Sequence, residues 1–283
     1  MITRRNFLKA GAAVAALSVV PNGFASILAK KEKAIGVQLY SVRDDLKTDF
    51  DGTMKALVDI GYKRMEAAGY RDGKFYGKSP AEMKKYLADL GARMVGSHTG
   101  RDFWKKNAAD TAEVGCKWIV QAGYPSKDIK SLSDVKRLAD QFNKCGEIAK
   151  ANGLRFAFHN HVDEFHELEG KIPFDVMIEN TDKGLVTFQI DTAQLVYGGF
   201  KCHDYVNRYP GRFANWHLKD ANADGKGSTE MGAGIVDFKS LFAVAEKAGL
   251  EDYFIEQERY NMTPLQAMKH DYDFLMNASY VKW

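Results

Sequence analysis

Polar side chains stand at the carboxyl ends of eight short apolar segments in this chain of 283 residues. They are Gln38, Glu66, His98, Gln121, His159 with His161, Asp191, His217 with Lys219, and Glu256 with Glu258. Burying one such group without a partner costs roughly 1–3 kcal/mol, so a plain apolar core would rarely collect so many. Their repeated position indicates a shared chemical site.

A subset has the residue types that bind a divalent metal: Asp191, His217, Glu256 and one of the pair His159 and His161. A mixed oxygen and nitrogen set suits Mn²⁺, Zn²⁺, Co²⁺ or Fe²⁺, and the lack of a thiolate argues against a structural zinc site. Such an ion could polarise a carbonyl or hydroxyl oxygen and acidify an adjacent C–H or O–H. We predict one divalent ion, with Mn²⁺, Zn²⁺ or Co²⁺ favoured. Catalytic roles in proton transfer are predicted for Glu256, His159, His161 and Lys219.

Substrate contacts are predicted for the remaining candidates: Gln38, Glu66, His98, Gln121, Glu164, Trp104 and again Lys219. Single members have structural alternatives. His98 could be a hydrogen-bonded core histidine, and Trp104 could be core rather than a wall for a sugar face. Asp191 and Glu256 could cap helices or pair with Lys219 and Arg259. The prediction of a metal and substrate site therefore rests on the whole set of residues rather than on any one of them.

The elements that must position these groups alternate along the chain. Eight strands are predicted: Ala34–Tyr40, Arg64–Ala67, Arg93–His98, Trp118–Ala122, Arg155–His159, Val186–Asp191, Ala214–Leu218 and Tyr253–Glu256. Amphipathic helices separate them, a pattern that predicts an all-parallel sheet covered by helices. Eight such units in one domain, residues 31–283, most simply close into a (β/α)8 TIM barrel. The alternative, an open doubly wound sheet, is disfavoured because Ser41-Val42-Arg43 replaces a Gly-x-Gly-x-x-Gly turn.

The first thirty residues read as an export signal. A basic start is followed by an apolar run from Ala10 to Val20 and then small residues, and cleavage is expected after Ala25 or Ala29. The segment Thr3-Arg4-Arg5-Asn6-Phe7-Leu8-Lys9 resembles the twin-arginine motif. The run is shorter than the roughly 20 apolar residues of a membrane span. We expect a periplasmic protein without a stable membrane anchor.

The charge balance limits the classes of binding partner, and the cysteine pattern limits the role of the cysteines. The 40 basic and 37 acidic residues give a net charge of +3, which argues against nucleic-acid binding by bulk electrostatics. The three cysteines form no Cys-x-x-Cys pattern and are expected to be buried. A small-molecule sugar is the expected partner, and a homo-oligomer remains possible.

Five motifs resemble the sugar phosphate isomerase/epimerase family of the xylose isomerase-like barrel superfamily. They are Ile35-Gly36-Val37-Gln38-Leu39-Tyr40-Ser41, Phe158-His159-Asn160-His161 with Glu164-Phe165, Ile190-Asp191-Thr192, His217-Leu218-Lys219-Asp220 and Phe254-Ile255-Glu256-Gln257-Glu258. In epimerase-like members, Glu, Asp, His and Glu from strands five to eight hold one divalent ion. By this resemblance Asp191, His217 and Glu256 match the last three ligands.

The first ligand position departs from the family pattern, because His159 stands where many relatives have glutamate. In the ketose epimerases that glutamate is also one of two acid/base groups. The resemblance implies an isomerase or epimerase that removes a proton beside a carbonyl of a non-phosphorylated sugar, keto-sugar or polyol. The departure makes a lyase or hydratase acting on 3-keto-glycosides or inosose-like substrates a strong alternative. A non-catalytic periplasmic sugar-binding protein is a second one.

DNA repair, the activity of endonuclease IV in this superfamily, is not expected. Gln194 stands where that enzyme has a further histidine ligand.

Overall fold

Eight parallel strands form a closed barrel in a computed structural model that describes residues 35–100 and 104–281, without the side chains of residues 104 and 105. The strands are β1 (Gly36–Gln38), β2 (Arg64–Ala67), β3 (Arg93–Thr99), β4 (Trp118–Ala122), β5 (Arg155–His159), β6 (Val186–Asp191), β7 (Asn215–Leu218) and β8 (Asp252–Ile255). Each strand pairs with the next, and β8 pairs with β1. The predicted (β/α)8 TIM barrel is confirmed. The predicted export signal and its cleavage positions lie outside the described residues.

Helices cover the outside of the barrel, and several of them begin at a residue whose side chain caps the helix. They are α1 (Arg43–Thr48), α2 (Phe50–Ile60), α3 (Pro80–Asp89), α4 (Trp104–Glu113), α5 (Leu132–Ala151), α6 (Pro173–Glu179), α7 (Thr192–Tyr197), α8 (Cys202–Arg208), α9 (Phe238–Ala243), α10 (Ala245–Ala248) and α11 (Pro264–Asn277). Ser79 and Thr263 each form a capping box, with Glu82 and Gln266 respectively. The 3₁₀ turns Leu39–Val42 and Asp163–Phe165 follow β1 and β5.

Two apolar clusters hold these layers together. The larger one lies between the strands and the helices and contains all three cysteines, whose predicted burial is confirmed. The smaller one consists of residues in or next to strands and fills the barrel interior: Val95, Trp118, Val120, Ala157, Ala214 and Phe254. The barrel interior is thus packed below its upper end, so a ligand that enters the barrel can do so only at the carboxyl ends of the strands.

The two ends of the barrel differ in chemistry. At the amino ends of the strands, the buried carboxylate of Asp252 accepts hydrogen bonds of 2.7 Å from Lys117 Nζ and Trp118 Nε1 and pairs with Arg64. At the carboxyl ends, two short hairpins extend the loops, Tyr70–Arg71 with Lys74–Phe75 and Asp220–Ala221 with Ser228–Thr229. The first end is closed by mutually satisfied charges, and the second is open.

Candidate metal and substrate site

A cavity of about 400 Å³ opens at the carboxyl ends of the barrel strands. Its wall includes Tyr40, Tyr70, His98, His159, His161, Gln194, Glu256 and Glu258. Several of these side chains are titratable and come from different strands, which is the arrangement expected at the carboxyl face of a barrel of this kind. The residues predicted from strand ends therefore do converge on one place.

Four buried side chains at the base of this cavity offer atoms that suit a metal ion. His159, Asp191, His217 and Glu256 each present a nitrogen or oxygen atom, and these atoms all lie within 4.8 Å of one another. They come from the ends of β5, β6 and β7 and from the residue after β8. Two carboxylates and two imidazoles form the donor set of a divalent transition metal. His98, His159 and His217 form a second group, in which one ring nitrogen of each lies within 4.8 Å of the others.

The ammonium group of Lys219 lies among these carboxylates. Its Nζ donates to Asp191 Oδ2 at 3.0 Å and to Glu256 Oε2 at 3.2 Å, and it also contacts Glu258. Burial lowers the pKa of Lys219, but the three carboxylates outweigh this effect and raise that pKa well above its usual value. The ammonium shows that Asp191 and Glu256 converge on a point where a cation is stabilised, so the residues present fit a divalent ion.

Asp191 performs two tasks with its two carboxylate oxygens. Oδ1 accepts from the backbone N–H groups of Ala193 and Gln194 at 3.0 and 3.1 Å and so caps α7. Oδ2 faces Lys219 and the candidate ligand set. The helix cap and the lysine pair, both proposed as structural alternatives, are therefore present, and the helix cap orients the carboxylate through Oδ1 while Oδ2 bonds Lys219.

His217 lies between two carboxylates. Its Nδ1 is 2.8 Å from Glu256 Oε2, and its Nε2 contacts Glu66 Oε2. Burial lowers the pKa of His217, but Glu66 and Glu256 outweigh this effect and raise it to about 10. Glu66 is fully buried, and Gly96 makes room for it, because a Cβ at that position would lie 2.8 Å from Glu66 Oε1. Without a metal, protonated His217 and Lys219 together supply two positive charges to this cluster.

A buried hydrogen-bond network continues from Glu66 to the other histidines. Gln38 Nε2 donates to Glu66 Oε2 at 2.8 Å, and Gln189 Nε2 donates to Glu66 Oε1 at 2.9 Å. The amide oxygen of Gln189 lies 2.9 Å from His98 Nε2 and 3.0 Å from His159 Nδ1. The Gln189 links to Glu66 and His159 are buried and the link to His98 is partly buried, so both rings are held in place from the Gln189 side.

His161 and Glu164 lie in the segment after β5. The ring of His161 lines the cavity and packs edge-on against His159 at 4.9 Å. Burial, with Lys219 nearby, lowers the pKa of His161 below its usual value. Glu164 Oε2 accepts the backbone N–H of His161 at 3.1 Å, while Oε1 is buried without a protein partner. Burial raises the pKa of Glu164 to about 8, so this carboxyl supports the His161 loop as a neutral acid at neutral pH.

The predicted substrate contacts are distributed unevenly around the cavity. His98 lies on its wall, whereas Gln38 and Glu66 are fully buried and bonded to each other below it. Gln121 is also buried, and the cavity wall at this point is formed by its neighbour Ala122. The side chain of Trp104 lies outside the described residues. Substrate binding by these residues therefore stays a prediction.

Sequence reasoning missed Gln189 and the two tyrosines of the wall. Gln189 stands in the middle of a strand between Phe188 and Ile190, and only strand ends were read for chemistry. The spacing along the strand could have identified Gln189. Residues two apart on a strand face the same side, and Gln189 precedes Asp191 by two. Tyr40 and Tyr70 lie in connections after β1 and β2, where no periodicity points to the cavity.

Comparison with known proteins agrees with the architecture. Residues 54–278 match the profile of the xylose isomerase-like TIM barrel. The chain belongs to this family. Its amino terminus, residues 1–21, matches the twin-arginine translocation pathway signal sequence, so the chain carries the signal for export by that route. In the described residues, the helices are all too short or too polar to span a bilayer.

Individual relatives share a modest part of the sequence. An inosose dehydratase of Clostridium beijerinckii is 28% identical over 165 residues, which are 52% of this chain and 53% of that protein. The chain thus spans about half the length of the curated relatives it matches. A solved sugar phosphate isomerase/epimerase from Parabacteroides distasonis is 28% identical, with a TM-score of 0.80 over 88% of this chain and 95% of the other. An IolI protein solved with a zinc atom shares the fold, at 13% identity over 86% and 97% and a TM-score of 0.68.

Proposed function

We propose that the protein is an exported, metal-dependent enzyme that removes a proton beside the carbonyl of a non-phosphorylated keto-sugar or keto-polyol. The observation that carries this proposal is the buried His159, Asp191, His217 and Glu256 set beneath a cavity wall that contains His161. When bound there, a divalent ion would polarise the substrate carbonyl and stabilise negative charge on its oxygen. The relatives named for dehydration and for isomerisation support this class of reaction.

His159, the last residue of β5, and His161, two residues later, take different roles in this proposal. His159 has its Nδ1 bonded to Gln189, and its Nε2 lies 3.8 Å from Asp191 Oδ2, which makes it the metal ligand. His161 lies in the cavity, outside that ligand set, and its lowered pKa leaves it neutral at neutral pH. A neutral imidazole with access to substrate is suited to act as the general base.

Dehydration is the outcome we favour. His161 takes the proton from the carbon beside the carbonyl, and the electrons of that C–H bond form the enolate. The C–O bond at the next carbon then breaks, and protonated His161 returns its proton to the departing hydroxyl, which leaves as water. One substrate gives one unsaturated ketone and one water, and the base is regenerated. His159 in the place of a family glutamate supports elimination, because epimerisation relies on a second acid/base carboxylate there.

A neutral substrate is favoured by the walls of the cavity. Among the described residues that line it, lysine and arginine are absent, and Lys219 beneath it is already bound to three carboxylates. A phosphate group would lie beside Glu256 and Glu258 without a lysine or arginine among the described lining residues to neutralise it. The twin-arginine signal is consistent with action in the periplasm, where we place the protein. Isomerisation is the second candidate, favoured by the Parabacteroides neighbour.

The test is solvent exchange. Protein loaded with Zn²⁺, Mn²⁺ or Co²⁺ is incubated in D₂O with inososes, keto-sugars and 3-keto-glycosides, and NMR follows the hydrogen beside the carbonyl. We expect deuterium uptake or dehydration with at least one substrate, and a loss of at least about 100-fold in the His161→Gln variant. His203, at the surface beside Asp204, provides the matched control variant His203→Gln. Binding of a sugar without exchange, unchanged by a chelator, would instead identify a binding protein.

A further inference from the structure

The amide of Gln189 occupies a central position among the buried polar groups. It is fully buried on β6, and its two ends touch three other side chains. Its Nε2 lies 2.9 Å from Glu66 Oε1, and its Oε1 lies 2.9 Å from His98 Nε2 and 3.0 Å from His159 Nδ1. One amide thus connects a carboxylate to two imidazole rings.

Glu66 determines which way this amide points. An ionised carboxylate only accepts hydrogen bonds, and Glu66 receives three donors: Gln38 Nε2, Gln189 Nε2 and His217 Nε2. Both carboxylate oxygens of Glu66 accept an amide N–H, Oε2 from Gln38 and Oε1 from Gln189. The amide nitrogen of Gln189 must therefore face Glu66, and its oxygen must face the histidines.

The amide oxygen in turn determines where the histidine protons are. A carbonyl oxygen can only accept, so His98 must carry a proton on Nε2 and His159 a proton on Nδ1. A neutral imidazole carries a single N–H, and in His159 the contact with the Gln189 amide oxygen places it on Nδ1. Its lone pair is then on Nε2, the nitrogen that lies 3.8 Å from Asp191 Oδ2.

We propose that Gln189 is a positioning residue that holds His159 in the Nδ1–H tautomer, with the Nε2 lone pair directed at the candidate ligand set. A metal ligand needs a free lone pair, and a partner on the other ring nitrogen sets both tautomer and ring orientation. Glu66 anchors the amide and therefore acts on His159 through Gln189. The Nδ1–H tautomer is expected in the protein without metal. Its role in metal binding rests on the proposed function.

The first arm of the test reads the tautomer directly. Metal-free wild-type protein with ¹⁵N-labelled histidine is studied by long-range ¹H–¹⁵N NMR near pH 7.5, and a His159→Gln variant identifies the signals of His159. We expect a protonated, pyrrole-like Nδ1 and a pyridine-like Nε2. A His159 that carries its proton on Nε2, or on both nitrogens, would overturn the inference without any need for a second variant.

The second arm removes the acceptor with Gln189→Met, which keeps the length of the side chain. We expect His159 to leave the pure Nδ1–H tautomer, and the Zn²⁺ affinity, measured by competition with a chelating dye, to fall 10- to 100-fold. Thr187→Val is the matched control: Thr187 is buried two residues earlier on β6, and its hydroxyl bonds only the backbone of Arg212 and Ala214. This control should keep both tautomer and affinity.

The results separate this inference from the proposed function. A Gln189→Met protein with the wild-type tautomer, or with a changed tautomer and wild-type Zn²⁺ affinity, contradicts the positioning role. If wild-type protein shows the expected tautomer and the variant loses it, but neither binds Zn²⁺, the tautomer assignment stands and the proposed metal chemistry fails.

Discussion

The Lys219→Met substitution removes a cation from the centre of the buried carboxylate cluster. Lys219 is 3% exposed, and its partners Asp191 and Glu256 are 0% and 5% exposed. Removing one partner of a buried ion pair costs about 3–5 kcal/mol, because the remaining charge keeps its desolvation penalty. For a domain of this size 1 kcal/mol corresponds to about 2–4 °C in Tm. We expect metal-free Lys219→Met to melt on the order of 10 °C below the wild type.

Metal should reverse this loss. A divalent ion bound to Asp191 and Glu256 supplies the positive charge that the variant lacks, so the gap in Tm between variant and wild type should shrink when Zn²⁺ is added. The variant should also bind Zn²⁺ at least about tenfold more tightly, since no ammonium repels the ion; tenfold corresponds to about 1.4 kcal/mol.

The assay is thermal unfolding with chelator and with Zn²⁺, together with Zn²⁺ titration in competition with a chelating dye. Lys85→Met is the matched control, because Lys85 and Asp89 form a surface pair that is 76% and 63% exposed. Such a pair contributes at most about 0.5 kcal/mol. Metal-free Lys219→Met that is as stable as Lys85→Met would contradict this role of the ammonium, as would Zn²⁺ that stabilises Lys219→Met no more than the wild type.

Three further predictions follow from other buried carboxyls. Glu164 has a pKa raised by burial to about 8, so the folded chain retains a proton that the unfolded chain releases above about 4.5. Stability should fall by on the order of 3 kcal/mol as pH rises from 5 to 8, and denaturant titration should show no such fall in Glu164→Gln. Asp220 accepts four backbone N–H groups, from Ala221, Gly232, Gly234 and Val236. Asp220→Asn should destabilise the protein by about 2–4 kcal/mol and expose residues 230–236 to limited proteolysis; unchanged cleavage contradicts this. Glu66→Gln should weaken Zn²⁺ binding 10- to 100-fold in the dye assay, and wild-type affinity would exclude a role for this carboxylate in orienting His217.

The barrel was predictable because its signals are local. Apolar strand runs alternate with amphipathic helices, and several helices start at residues such as Ser79 and Thr263 that cap them through their own side chains. The predicted strand boundaries were less accurate where a side chain bonds the backbone near the end of a strand. β1 was predicted to reach Tyr40 but ends at Gln38, whose side chain accepts the backbone N–H of Tyr40 at 3.1 Å and starts a 3₁₀ turn.

The inward-facing site was predictable to the extent that strand ends converge. His159, Asp191, His217 and Glu256 are close together because parallel strands of a barrel end on one rim. What local sequence could not show is the depth of a side chain and its partners. Glu66 was expected to touch substrate, yet it lies in the space left by Gly96 on the neighbouring strand and bonds Gln38 and Gln189. Those contacts depend on pairing across the barrel.

The central claim is that the four converging side chains hold a catalytic divalent ion, and metal content tests it most directly. Protein purified without chelator, or reloaded with Zn²⁺ and desalted, is analysed for metal per chain alongside an Asp191→Ala, Glu256→Ala double variant. We expect about one divalent ion per wild-type chain and almost none in the folded double variant. A wild-type chain that retains no divalent ion after reloading, or a double variant that retains as much as the wild type, would contradict it.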